Sequence, residues 1–467
     1  MAYDSVVRIF ATTQEQDYDC PWQACAPDTS SGSGVIVGSR HVLTGAHVVA
    51  DATFLQVRLQ GDPVKFEARV CATCHDADLA LIEVTDGRFA ETAQAAAIGA
   101  MPELASKVSV VGFPVGGEEV SVTEGVVSRV EVQTYQHSGR RLLAVTVDAA
   151  INEGNSGGPV FQDGKVVGIA FQKLSGDTDN IGEMVPPQLL QRFLDDALVD
   201  TAAPHTKRVE VPGLGLRVQK LENKTLRQQL GLHDDEGGLL VLEVEHGGSC
   251  ADVMQEGDVL LALDDHAIAG NGTITYAGKH RTQAVALLGE RRVGDDVQLR
   301  VLRDGDRLET SMTLRPFCPL VPRRQYDVRP RFLLWGGLVL QPLSQDFLET
   351  WDDWRRRAPT SLLHVFKSGM RSAEQGEVVV LSRVLADEST AGYDDRGCDI
   401  VTAIDDVAPR DLAHVAELLD AAQGIVTVHT QRGRLAMDAD VARARAKVMA
   451  ERYQIALQRR LRADADA

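Results

Sequence analysis

No stretch of this chain approaches the roughly 20 consecutive apolar residues a membrane-spanning helix needs, so no helical span is expected. No secretory signal is expected at the start of the sequence either. Met1–Phe10 holds only the short, mixed group Val6-Val7-Arg8-Ile9-Phe10, which is not an export signal. As written, the chain reads as cytoplasmic; an export signal preceding it would make it periplasmic. Basic residues are in deficit, with 48 Lys and Arg against 67 Asp and Glu and a net charge of -19. That sign disfavours nucleic acid and anionic membrane as main partners. No G-x-x-x-x-G-K-[ST] loop occurs, so chemistry driven by ATP bound in such a loop is not expected. Cysteine is scarce and odd in number, at seven: Cys20, Cys25, Cys71, Cys74, Cys250, Cys318 and Cys398. Scattered, unpaired counts fit reduced thiols better than a disulfide framework. What is present is ordinary for soluble globular domains, with 44% hydrophobic and 25% charged residues. A length of 467 residues allows two to four domains.

The most informative segment is Gly154-Asn155-Ser156-Gly157-Gly158-Pro159. It sets one serine in a glycine-lined turn that a carbonyl can approach closely. Its backbone N–H groups are free to face a developing negative charge. A serine hydroxyl needs an adjacent base, and a histidine oriented by a carboxylate supplies one. Thr44-Gly45-Ala46-His47-Val48-Val49 offers the histidine, and Asp76-Ala77-Asp78-Leu79-Ala80-Leu81-Ile82 the acid. The chain order His47, Asp78, Ser156 is that of chymotrypsin-type enzymes, not of subtilisins or α/β-hydrolases. Asp76 competes with Asp78; the latter directly precedes the apolar run Leu79–Ile82 and is favoured.

At TGAHVV, DADLALI and DAAINEGNSGGP the chain resembles the HtrA/Deg family of serine proteases, from about Asp4 to about Ile425. Pro21-Trp22-Gln23 and VSVTEGVVSRVE, Val120 to Glu131, make it most similar to the plant-type members with two PDZ domains. The resemblance implies a mainly β chain: a chymotrypsin-like double β-barrel protease domain, two PDZ (α+β) domains and a C-terminal helix. It implies a catalytic His47, Asp78 and Ser156, and an oxyanion hole at Gly154, Asn155 and Ser156. It points to a substrate pocket at Ile151, Phe171 and Leu174. No acid stands where a trypsin-like pocket needs one, so cleavage after small or medium aliphatic residues is expected. Peptide or protein substrates and a homo-oligomer, a trimer or multiple of trimers, are implied as partners, with no cofactor and no metal. In this family the loop Asn152-Glu153-Gly154 can be held inactive by a flipped peptide. The alternative function is a non-proteolytic chaperone or binding scaffold that retains the protease fold.

The remaining segments agree with this order. Short β-branched segments such as Gly34–Val37, Leu55–Leu59, Val108–Val111, Leu143–Val147 and Val166–Ala170 predict strands. Leu189, Leu190, Phe193 and Leu194 predict a helix over Pro187–Leu198. The expected domains are 1–200 (protease), 213–316 (PDZ), 330–430 (a second, divergent PDZ-like domain) and 436–467 (C-terminal helix and tail). Gly237-Gly238-Leu239-Leu240 is the expected carboxylate-binding loop of the first PDZ domain, and Thr282–Gly289 the helix beside its groove. Asp258–Ile268 (DVLLALDDHAI) and Asp399–Pro409 (DIVTAIDDVAP) share five of eleven positions, which marks an internal repeat. The second domain's loop candidate is Leu334–Val339, where Trp335 would block or reshape a groove. Val441, Val448, Ile455 and Leu461 form a partial stripe in the Ala/Arg-rich tail. Cys71-Ala72-Thr73-Cys74-His75 matches a c-type haem attachment pattern, but it leads into the strand of Asp78, where a haem would disrupt the core. A zinc site from Cys20, Cys25, Cys71 and Cys74 and a Cys71–Cys74 redox pair are further readings; small buried side chains are the favoured one.

Overall fold

The computed structural model describes residues 3–114, 117–149, 151, 154–173, 181–199 and 205–462. It divides into two compact units, Met1–Thr13 with Pro27–Phe317 and Gln14–Ala26 with Cys318–Ala467.

The first unit begins with β1 (Val6–Thr13), β2 (Asp28–Ile36), β3 (His41–Thr44), β4 (Ala52–Leu59), β5 (Lys65–Cys74) and β6 (Leu79–Val84), in the spatial order β5-β4-β1-β2-β3-β6. β5 also pairs with β6, which closes the first barrel. Strand alternation sorts β1 into two faces. Val7, Ile9 and Ala11 enter the barrel core with Val57, Phe66 and Ile82, while Arg8, Phe10 and Thr12 take the outer face. A single helical turn, α1 (Ala46–Val49), follows β3. The second barrel, closed in the order β10-β11-β12-β9-β8-β7, comprises β7 (Lys107–Gly112), β8 (Ser121–Thr134), β9 (Arg141–Val147), β10 (Pro159–Gln162), β11 (Lys165–Lys173) and β12 (Gly182–Val185). Helix α2 (Pro187–Ala197) starts on a proline, suited to the first helical position. Its predicted stripe of Leu189, Leu190, Phe193 and Leu194 is buried against residues of both barrels.

The same unit continues with β13 (Leu216–Lys220), β14 (Leu239–Val244), β15 (Val259–Leu263), β16 (Asp296–Arg303) and β17 (Asp306–Thr313), which form a sheet in that order. The segment expected as a groove helix is a 3₁₀ stretch, Ala284–Glu290. Its Ala284, Ala286 and Leu288 share one apolar core with Val130, Val132 and Leu143 of the second barrel. The Val132 N–H donates to Thr282 Oγ1 at 2.8 Å across that junction.

In the second unit, β18 (Phe332–Trp335), β19 (Leu338–Pro342), β20 (Val379–Val384), β21 (Asp399–Ile404), β22 (Ile425–Thr430), β23 (Gly433–Asp438) and β24 (Arg459–Arg460) form one sheet, ordered β23-β22-β21-β20-β19-β18-β24. Helix α3 (Leu412–Ala421) buries Leu412, Val415, Ala416 and Leu419 in its core. The repeat maps onto matching strands, β15 and β21. The first aspartate of each copy is buried and paired with an arginine further along, Asp258 with Arg303 at 2.6 Å and Asp399 with Arg432 at 3.3 Å. The later aspartates also match. Asp264 and Asp405 both have positive φ, and each accepts a backbone N–H, from Gln298 and Thr427 respectively. The predicted loop Leu334–Val339 is a hairpin turn between β18 and β19 with Trp335 buried in the core. Helix α4 (Ala439–Arg452) buries Ala439, Ala442 and Met449, leaving Val441 and Val448 of the predicted stripe exposed. The chain after it returns as β24, so the segment expected as a separate helix and tail shares the sheet. Gln14–Ala26, an excursion between β1 and β2, belongs to this unit. Its Trp22 packs with Leu334, Val339 and Met449, and its Asp19 pairs with Arg383.

Candidate active site

His47 is held by α1 and Asp78 by the 3₁₀ turn His75–Ala77, which ends with Asp78 at φ 53°. The left-handed backbone there reverses the chain just before β6, so the carboxylate turns back toward α1. Asp78 Oδ1 accepts the His47 backbone N–H at 2.8 Å, and Oδ2 accepts from Nδ1 at 2.7 Å. Two bonds to one residue set both the position and the tautomer of the imidazole, leaving Nε2 as the basic nitrogen. Asp78 is buried, at 1% exposure. Burial by itself would raise its carboxyl; the charges of His47 and His137 and the bonds from His47 hold it below the usual carboxylate range. Burial alone would lower His47, but the charge and hydrogen bond of Asp78 outweigh it and hold the imidazole above its ordinary 6.5. Asp76 points elsewhere. It pairs with Arg140 at 3.0 Å and accepts the Val211 N–H.

The serine turn is clamped between the barrels. Ser156 O accepts the Ser33 N–H at 3.1 Å, and Gly157 N donates to Ala170 O at 2.8 Å. Ser33 does more: its hydroxyl donates to Gly154 O at 2.7 Å and accepts from Phe113 N at 2.8 Å. Gly157 has φ 77°, and a Cβ on it would sit 2.6 Å from Ser33 O. Gly45 explains the approach of the two halves. The point where its Cβ would stand is 2.7 Å from His47 Cε1 and 3.6 Å from Gly157 Cα. The catalytic candidates are thus neighbours across the cleft. His47 Nε2 has no hydrogen-bond partner among the described residues, so the Ser156 bond is open. Asn155 is fully buried with its side-chain amide unpaired among the described residues. The Gly154 carbonyl faces Ser33. Asn152 and Glu153, which set the orientation of the Gly154 N–H, lie outside the described residues.

Reading the sequence missed two residues here. Ser33 sits between Gly32 and Gly34 inside a strand, and glycines within a strand mark close backbone approach; that was its only local signal. His137, in the β8–β9 hairpin, lies with its ring centroid 6.3 Å from that of His47 and shares a 2.9 Å hydrogen bond with His75. Nothing in its local sequence indicates this.

Other expected site residues fall differently. Ile151 is buried in the second-barrel core against Gly182. Phe171 stacks on Tyr135 at 4.2 Å inside the interbarrel core. Leu174 lies outside the described residues. Gly237 and Gly238 lead into β14, where Leu239 and Leu240 pair with β13 on one side and β15 on the other. A peptide cannot add beside a strand already paired on both edges. The sheet's edge strands are β13, preceded by Gly213-Leu214-Gly215, and β17. Cys71 and Cys74 are buried thiols, pushed up by burial to about 11 and about 12. That is the opposite of the thiolate that metal or redox chemistry uses. Among the described residues no group of three or more His, Cys, Asp or Glu could hold a metal.

Residues 32–169 match the model of the trypsin-like peptidase domain, and 212–314 and 321–460 each match a PDZ domain model. Protease Do-like 2, chloroplastic, from Arabidopsis thaliana is 35% identical over 419 residues, covering 89% of this chain and 68% of that protein. The chain belongs to the HtrA/Deg family of serine proteases. Protease Do-like 4, mitochondrial, of the same organism is 34% identical over 420 residues, 90% of this chain and 77% of that protein. Among solved structures, an HtrA-type protease AlgW with decapeptide aligns with a TM-score of 0.50 at 22% identity, over 68% of this chain and 96% of that one. That likeness is one of fold. This HtrA/Deg protein is accordingly a mainly β serine protease with two PDZ domains.

Proposed function

We propose that this HtrA/Deg protease cleaves internal peptide bonds of unfolded or exposed protein segments, without ATP, through His47, Asp78 and Ser156. The observation that carries it is the doubly hydrogen-bonded Asp78–His47 pair beside the Ser156 turn. Ser156 Oγ attacks the carbonyl carbon while its proton passes to His47 Nε2. The oxyanion is held by the N–H groups of Gly154 and Ser156. Collapse expels the amine, which takes that proton, and leaves an acyl-Ser156 ester; water repeats the cycle from the other side. The open Ser156–His47 bond closes as substrate binds, as catalytic hydrogen bonds often do. P1 is small or medium aliphatic.

The first PDZ domain takes peptide beside β13, the edge strand that follows Gly213-Leu214-Gly215. In the second, β19 is covered by β18 and β18 by β24, so that domain serves assembly. The protease works as a trimer or a multiple of trimers, in the cytoplasm, or in the periplasm if an export signal precedes this sequence. Incubation with β-casein, wild type against Ser156→Ala, tests the reading, with fluorophosphonate labelling of Ser156 as a second check. Equal survival of casein in both samples and no labelling would establish the scaffold alternative.

A further inference from the structure

A cavity of about 750 Å³ opens beside Ser156 and Gly154 on the outer face of the first barrel. Its wall is the side of β1 that carries Phe10 and Thr12, extended across the sheet by Phe54 and Gln56 of β4 and Lys65 of β5. The strand register brings them together: Thr12 faces Phe54, Phe10 faces Gln56, and Arg58 faces Lys65. Phe54 is an apolar ring left 47% exposed. The Lys65 ammonium lies 3.7 Å from the Phe10 ring centroid, and it has no ion pair or hydrogen bond among the described residues. Arg8 and Arg58 also lie over Phe10, at 5.0 and 5.7 Å. Both are paired with Glu118, at 3.6 and 2.6 Å. Glu67, opposite Gln56 on β5, continues the row outside the lining. Among the described residues no acid lines the cavity. The recess thus sets two aromatic rings and one ammonium, Lys65, whose charge also acts on Glu118, beside the nucleophile.

We propose that this recess is the subsite for the leaving half of the substrate, selecting an acidic residue together with an apolar one just after the scissile bond. The proposal rests on Ser156 being the nucleophile. His47 returns its proton to the leaving amine from the first barrel, the wall on which the recess lies. An exposed ring offers apolar area. An ammonium that already engages an aromatic face gains most from a carboxylate that can reach it.

The test uses internally quenched peptides identical on the acyl side, with Asp, Lys, Phe or Gly at each of the first three positions after the cleaved bond. The readout is the ratio of kcat/KM between peptides. At one position the wild type prefers Asp over Lys by about two- to fivefold, the range of a partly exposed ion pair, and the preference shrinks in high salt. Lys65→Glu inverts that ratio, Lys65→Gln brings it near one, and Phe54→Ala narrows the Phe over Gly ratio. An unchanged preference order in Lys65→Glu and Lys65→Gln overturns the proposal. Wild-type labelling by fluorophosphonate reads the nucleophile separately. Its absence would remove the underlying reading, whereas labelling with no charge preference would remove only the subsite.

Discussion

Replacing Asp78 by Asn changes one atom pair and tests the chemistry of the whole site. Asp78 now accepts two hydrogen bonds, from the His47 backbone N–H and from Nδ1. Asn has one acceptor oxygen and one NH₂ group. The backbone N–H cannot turn, so the oxygen stays with it and the NH₂ meets Nδ1. Nδ1 must then accept, the ring proton moves to Nε2, and the base that should face Ser156 becomes a donor. The flipped amide would instead bury a backbone N–H without an acceptor, at about 1–3 kcal/mol. The same change in a trypsin-type triad lowers kcat by about 10⁴, roughly 5.5 kcal/mol of barrier, and a loss on the order of 10³–10⁴ is expected here. The pH profile adds a sign. His47 works deprotonated, so activity rises with pH through its pKa; because that pKa lies above 6.5, the wild-type acid limb has its midpoint above 6.5. In Asp78→Asn the raising charge is gone while burial remains, so the limb of any residual activity moves to lower pH. Stability follows linkage. The raised His47 stabilises fully below 6.5 and loses its contribution as pH rises through the folded value. The lowered Asp78 contributes above 3.8 and loses its part as pH falls through its folded value. The assay is kcat/KM on a quenched peptide from pH 5 to 9, with circular dichroism as the folding control. A folded Asp78→Asn variant within tenfold of wild type, with the same acid limb, would refute the tautomer argument.

Gly157→Ala forces φ 77° on a residue with a Cβ and drives that atom toward Ser33 O and Thr44 Oγ1. kcat/KM should fall by about 10²-fold, the cost of a misplacement near 1 Å, in a protein that still folds; activity within threefold would contradict it. Thr282→Val leaves the buried Val132 N–H without its acceptor. It should lower unfolding free energy by about 1–3 kcal/mol in urea titrations of the intact chain, and an unchanged midpoint would show that the apolar junction alone holds the first PDZ domain. Mass spectrometry after iodoacetamide treatment at pH 8 should find the exposed Cys25 and Cys318 modified first. Cys71, Cys74 and Cys250, buried and pushed up to about 11 or 12, should react only in denaturant.

Much of the protein was legible before any coordinates because the signals are local. Strand alternation, the stripe of α2 and the Asp-Asp turn of the repeat each lie within about a dozen neighbouring residues. Their expected positions and the observed elements agree. The edge of a sheet is not local. Gly237–Leu240 looks like a carboxylate loop by composition, yet β14 has partners on both sides, and only strand order shows that β13 is an open edge. The packing of Phe171 is non-local too: its ring meets Tyr135, a residue 36 positions earlier in the sequence, and no local pattern encodes that contact.

The order of His47, Asp78 and Ser156, the double-barrel class and the duplicated PDZ-like module were set by contiguous residues whose spacing and type admit few folds. Tertiary structure alone decided that Ser33 clamps the serine turn, that His137 stands beside the base, and that Trp22 leaves its hairpin to join the second unit. Each of those depends on backbone reversals and strand pairings between segments tens or hundreds of residues apart. Such contacts form only when burial of the whole chain brings the segments together.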